Sequence, residues 1–154
     1  MAYVGGESPR TSDCFICDAI GGSDPEAKLV VARADGAVTL LNRFPYSPGH
    51  ALVAPTRHAP DMRDLSVDEG AALFAATQRT MRAIEAALHP DGFNVGLNVG
   101  AAAGASVEHV HLHVVPRWAG DTNFMPVLAD VKVLPEHLDA TVERLREAFA
   151  KLTD

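Results

Sequence analysis

Six residues of this chain, His109-Val110-His111-Leu112-His113-Val114, alternate imidazole and aliphatic side chains without a break, and Val115 extends the run. A repeat of two is that of a β-strand, whose successive side chains point to opposite faces. The tract therefore predicts a strand over 109–115, with His109, His111 and His113 on one face and Val110, Leu112 and Val114 driven into a core. A neutral imidazole seeks a partner at both ring nitrogens. Three of the chain's seven histidines within five residues are thus a poor choice for a half-buried strand that has no chemical task.

The remaining pattern provides the body for such a strand. Residues 28–33 and 37–42 are short apolar runs separated by Ala34-Asp35-Gly36, a hairpin signal. A third strand is expected at 50–55 after Pro45-Tyr46-Ser47-Pro48-Gly49, and a fourth at 93–98. Ser66 and Glu69 have the spacing of a capping box, and Phe74, Met81, Ile84 and Leu88 recur at helical spacing until His89-Pro90-Asp91-Gly92 stops the helix. Leu138, Val142, Leu145, Phe149 and Leu152 form a second apolar stripe after Pro135. Strands in runs with few helices between them predict an α+β domain with a mainly antiparallel sheet and helices packed on one face. Residues 1–12, rich in Gly, Ser, Pro and Thr, are expected to be a flexible leader before one domain over 13–154.

The formal net charge of −7 argues against a nucleic-acid groove. It leaves room for a compact phosphate site built from backbone N–H groups. No stretch approaches the ~20 apolar residues of a membrane span, and the first residues lack a basic start leading into an apolar core. A cytoplasmic protein with no membrane contact is expected. In that reducing setting the only two cysteines, Cys14 and Cys17, suggest a metal or a redox pair more than a structural disulfide.

Two chemistries compete for the histidines. His-x-His can chelate an ion, but at ~3.3 Å per residue His109 and His113 stand ~13 Å apart and cannot share one tetrahedral centre on a straight strand. A metal-dependent hydrolase using His109 and His111 remains open on these grounds. The other is nucleophilic catalysis, in which an imidazole held by a hydrogen bond at one nitrogen attacks phosphorus with the other, while a neighbour protonates the leaving group.

The run His109-Val110-His111-Leu112-His113-Val114-Val115 resembles the signature of the histidine triad (HIT) superfamily. Asn42 with Pro48-Gly49-His50-Ala51-Leu52-Val53 is similar to that family's nucleoside-binding segment, and Asn98 with the Gly-rich 100–104 and Ser106 to its phosphate-side loop. The similarity covers residues 14 to about 118. It implies a homodimeric α+β enzyme that breaks a nucleotide phosphoanhydride through a nucleotidyl intermediate on His111, with His113, His109 and Ser106 assisting. It also implies a substrate site of Asn42, His50, Asn98 and the backbone of Gly104, Ala105, Ser106 and Val107.

The family's hydrolases resemble one another in a Gly-Gln-Ser/Thr loop, whereas this chain reads Gly104-Ala105-Ser106. The missing amide puts the alignment of an attacking water in doubt. Residues 116–127 together with Asn42-Arg43-Phe44-Pro45-Tyr46 are instead similar to the branch that includes diadenosine tetraphosphate phosphorylases and ATP adenylyltransferases. That branch implies inorganic phosphate as the acceptor, with hydrolysis by water as the alternative and a slow nucleotide-binding regulatory module as a reading from another class. Bacterial members similar to this chain further imply a structural zinc ion held by Cys14, Cys17, His58 and His109. His89 and His137 receive no role.

Overall fold

The structure, a computed structural model, describes residues 13–22, 26–34, 36–121 and 137–152. The expected leader, Asp35 of the hairpin turn, residues 122–127 of the 116–127 segment and Pro135 lie outside them. Five strands form one antiparallel sheet: β1 (Val30–Ala34), β2 (Ala37–Leu41), β3 (Ala51–Pro55), β4 (Gly92–Gly96) and β5 (Leu112–Arg117), in the order β1-β2-β3-β5-β4. Among the described residues three α-helices accompany them: α1 (Phe15–Gly21), α2 (Val67–Leu88) and α3 (Leu138–Lys151). This is the expected α+β class. Among the described residues no helix is long and apolar enough to cross a membrane.

Every residue of β2 and β3 is buried, because the sheet is covered on both sides at its centre. Leu41, Ala51, Val53 and Val114 pack beneath α2 and α3 with Leu73, Ile84, Val142, Leu145 and Phe149. The opposite side chains, Val38, Leu40, Leu52 and Ala54, meet Ile16 and Ala19 of α1 and the Cys14 that precedes it. The two long helices thus share one face as expected, and the short α1 covers part of the other. Burying these side chains, at roughly 1.5–3 kcal/mol each for the larger ones, makes α1 part of the fold despite its seven residues.

Helix α2 begins with the full capping box: the Glu69 N–H donates to Ser66 Oγ, and the Ser66 N–H donates to the Glu69 carboxylate. It ends at His89, held at φ 51°, a left-handed cap that satisfies a final helical carbonyl. Its buried stripe keeps Ile84, with Met81 and Leu88 packed against the core as expected, and departs from the expected one elsewhere. Leu73, Thr77, Thr80, Ala83 and Ile84 face the core, whereas Phe74 is 65% exposed. The stripe is displaced because two threonines occupy it. Thr77 Oγ1 and Thr80 Oγ1 donate back to the carbonyls of Leu73 and Ala76, each at 2.8 Å, which removes the penalty of burying a hydroxyl.

Strand ends also shift for identifiable reasons. Lys28 and Leu29 leave β1 for a 3-10 turn (Glu26–Leu29), since the Lys28 and Val30 carbonyls accept from the Arg146 guanidinium of α3. β4 stops at Gly96, and Asn98 instead donates to the Gly104 carbonyl. β5 starts three residues later than expected, at Leu112. Ahead of it the Val110 N–H turns to the Ala59 carbonyl (2.8 Å) rather than to a neighbouring strand.

Candidate functional site

The late start of β5 decides how the three histidines are used. His113 alone is in the ladder, opposite Leu52 of β3 and Gly96 of β4. His109 and His111 lie on the approach to it. His109 and His111 are buried, at 1% and 5% exposure, His113 is part-exposed, and each meets different neighbours.

Carbonyl oxygens only accept, so they fix the tautomers. His111 Nδ1–H donates to the His109 carbonyl (2.7 Å), which leaves the lone pair on His111 Nε2. His109 Nε2–H donates to the Pro55 carbonyl (2.9 Å), which leaves the lone pair on Nδ1. At His50, the Tyr46 N–H donates to Nδ1 (3.1 Å). His50 Nε2–H must then donate to His113 Nδ1 (2.9 Å), and His113 keeps its proton on Nε2. His50 is fully buried; Gly49, at φ 77°, lets the backbone pass beside Leu88, where a Cβ would collide. The ring of His113 stands edge-on to His111 with centroids 5.0 Å apart. The result is a ring with an unprotonated Nε2, His111, beside a ring that carries its proton on Nε2, His113.

Burial lowers the pKa of His109, His111 and His113. The hydrogen bonds to the Pro55 and His109 carbonyls oppose that shift at His109 and His111 without reversing it. The rings are therefore held neutral near pH 7, the form needed both for attack and for binding a metal.

His109 Nδ1 points toward a second cluster. It is 3.4 Å from Cys14 Sγ and 3.6 Å from Cys17 Sγ, and Cys17 Sγ is 3.3 Å from His58 Nδ1. The four ligand atoms lie within 4.8 Å of one another. Zinc bonds of ~2.3 Å to sulfur and ~2.0–2.1 Å to nitrogen at tetrahedral angles would set S and N roughly 3.6 Å apart. The set fits one four-coordinate ion. Burial, and then the neighbouring Cys14, push the Cys17 thiol up to about 11, so a metal must displace a proton to bind there. His111 is outside this cluster, and a single ion shared by His109 and His111 is not what the geometry offers.

The substrate-side residues expected from the sequence are distributed as follows. Asn42 Oδ1 accepts from the Phe44 N–H (2.9 Å), closing a turn at the end of β2. The loop after β4 is stiffened from within: Gly100 and Gly104 take positive φ around a 3-10 turn (Ala101–Ala103). The Gly104 N–H donates to the Ala101 carbonyl and the Ala105 N–H to the Gly100 carbonyl. Two of the four backbone donors expected for phosphate are therefore engaged within the loop, and those of Ser106 and Val107 have no protein acceptor among the described residues. The Ser106 side chain is exposed.

Several neighbours escaped the sequence reading. Tyr46 lies over His50, 4.7 Å between centroids, and is stacked with His113 at 6.3 Å. Phe15 meets His111 edge-on at 6.4 Å. The Pro55 carbonyl left no signal at all, since any residue type has one; an aromatic four positions before His50 was the available clue for Tyr46.

A family model described as HIT domain matches residues 25–120. The AP-4-A phosphorylase of Mycobacterium tuberculosis is 46% identical over 130 residues, covering 84% of this chain and 66% of that protein. The chain thus spans just under two-thirds of the length of that relative. An uncharacterised HIT-like protein of Saccharolobus solfataricus is 35% identical over 112 residues, 73% of this chain and 79% of its own. Among solved structures, a zinc-bound histidine triad family protein from Mycobacterium smegmatis superimposes with a TM-score of 0.75 at 31% identity, covering 90% of this chain and 94% of that one. A matched domain model across most of the chain, at sequence positions that place three imidazoles in one site, makes this chain a member of the HIT family.

Proposed function

We propose that this chain cleaves dinucleoside polyphosphates, diadenosine tetraphosphate in particular, by transferring a nucleotidyl group through His111 to inorganic phosphate. The observation that carries the proposal is the 2.7 Å bond from His111 Nδ1–H to the His109 carbonyl: it leaves Nε2 as an oriented, unprotonated nucleophile. The 46% identity to a protein named as an AP-4-A phosphorylase supports the substrate class.

In the first step the His111 Nε2 lone pair forms a bond to the α-phosphorus, and the bond from phosphorus to the bridging oxygen breaks. His113 Nε2–H gives its proton to the departing ATP. In the second step a phosphate oxygen attacks phosphorus, the P–N bond breaks, ADP leaves, and a proton returns to His113. Little is demanded of the protein beyond positioning and charge stabilisation. The amides of Ser106 and Val107, the Ser106 hydroxyl and Asn98 receive the α-phosphate. Asn42 binds the ribose hydroxyls through the half of its amide that does not close the turn. Gly104 and Ala105 shape the loop, and the small side chain at 105 leaves room for phosphate where a glutamine would align water.

Cys14, Cys17, His58 and His109 hold zinc as a closed structural centre, and a reducing cytoplasm keeps the thiols competent to bind it. We also propose a homodimer, because β4 ends the sheet with an exposed edge bearing Val95; light scattering reads that directly. The activity is tested by product analysis of diadenosine tetraphosphate cleavage with phosphate varied. Phosphate-dependent formation of ADP plus ATP is expected. Equal rates with and without phosphate, yielding AMP plus ATP, reject phosphorolysis.

A further inference from the structure

We propose that Cys14, Cys17 and His58 are positioning residues for His111, so that the metal centre sets the aim of the nucleophile as well as bracing the fold. The inference rests on the reading of His111 as nucleophile and of the four-residue cluster as a zinc site. It goes further by assigning that cluster a part in the chemistry.

Two connections run from the cluster to the His111 ring. The first passes through His109, which has two jobs at once. Its side chain is a ligand, clamped by the Pro55 carbonyl at Nε2 and by the metal set at Nδ1, and its own carbonyl is the acceptor that holds His111 Nδ1–H. Any swing of residue 109 displaces that acceptor. The second passes through Phe15, bonded to Cys14 and two residues from Cys17, whose ring meets His111 edge-on. Metal ligation by Cys14 and Cys17 fixes the first turn of α1 and with it this wall. On the far side, His58 lies on the same loop as Ala59, whose carbonyl accepts the Val110 N–H between the two histidines. Each segment that reaches His111 on this side is thus tied to a ligand or to its immediate neighbour. Residues that orient a site from outside it commonly change its performance by roughly 10–100-fold.

The test compares zinc-loaded and chelator-stripped full-length protein, for wild type and for His58→Ala, which removes a ligand that is itself exposed and contacts Cys17 and His109 rather than the His111 ring. Three quantities are read: the tautomer of the His111 ring by 15N–1H correlation at fixed pH, the single-turnover rate of nucleotidyl-histidine formation, and the affinity for a non-cleavable diadenosine analogue. Zinc-loaded wild type should show one His111 tautomer, with the proton on Nδ1. Stripped protein and His58→Ala should show mixed tautomers and a rate roughly 10–100-fold lower, with affinity within about threefold. His58→Cys, which restores a fourth ligand, should recover both rate and tautomer when zinc is added. A metal-free protein with a lower melting temperature but an unchanged His111 tautomer and rate would overturn the inference, and so would wild type that takes up no zinc. Absence of any nucleotidyl adduct on His111 in loaded wild type would instead defeat the functional reading, and the tautomer comparison would still decide the coupling by itself.

Discussion

His109 and His113 are four residues apart on one tract, and the fold gives them opposite surroundings. His109 faces into a closed shell of two sulfurs and a second imidazole, with its remaining nitrogen on a backbone carbonyl. His113 ends a chain of donors, Tyr46 N–H to His50 to His113, that leaves its own proton on Nε2, and its ring stands edge-on to His111. His111 lies between the cluster that engages both nitrogens of His109 and the His50–His113 pair. Identical side chains at identical spacing are therefore held in different tautomers, because backbone carbonyls and neighbouring side chains select them.

The contrast is broken most severely at its centre. His111→Ala should lower turnover by roughly 10⁴-fold or more while nucleotide affinity stays within a few-fold, since the loss is of a group that acts only during bond formation. On the closed side, Cys14→Ser with Cys17→Ser should abolish stoichiometric zinc in elemental analysis. Chemical denaturation should then show a loss of roughly 3–5 kcal/mol, because the tie between α1 and the sheet goes with the ion. On the open side, His50→Ala frees His113 Nδ1 and with it the choice of tautomer. Steady-state rates should fall by about 10²-fold with metal content unchanged, which would show that the two halves are separable.

Smaller changes sharpen the picture. Ala105→Gln should shift the product ratio toward AMP by about tenfold at fixed phosphate, read by chromatography, through an added amide that aligns water. Ser66→Ala touches neither half. It should cost about 1 kcal/mol in thermal or chemical unfolding through the lost helix cap, with the product ratio unaltered.

Much of this was legible in the sequence where one residue type leaves one physical signature. The capping box at Ser66 and Glu69, the stripe of α3 and the buried runs of β2 and β3 emerge from spacing alone. The core face of α2 emerged in part: Ile84, Met81 and Leu88 pack there as expected and Phe74 does not, while Thr77 and Thr80 read as polar until their hydroxyls are seen bonding back along the helix. Two-residue periodicity suggested a strand through His109. The Val110 N–H bond to Ala59 takes that stretch out of the ladder, and a long-range backbone pairing of this kind has no local signature. The gathering of Cys14, Cys17 and His58 around His109 came from resemblance, since residues 95 apart are joined by topology and not by pattern. Nor could the four amides from Gly104 to Val107 be sorted into engaged and available ones without the turn that Gly100 and Gly104 impose.

The most direct test is to trap the covalent intermediate. Protein mixed with diadenosine tetraphosphate in phosphate-free buffer is quenched, digested and mapped by mass spectrometry. An adenylyl group on His111, discharged as ADP when phosphate is added before the quench, is the predicted result. Turnover with no adduct on His111, or with the adduct on His109 or His113, would contradict it.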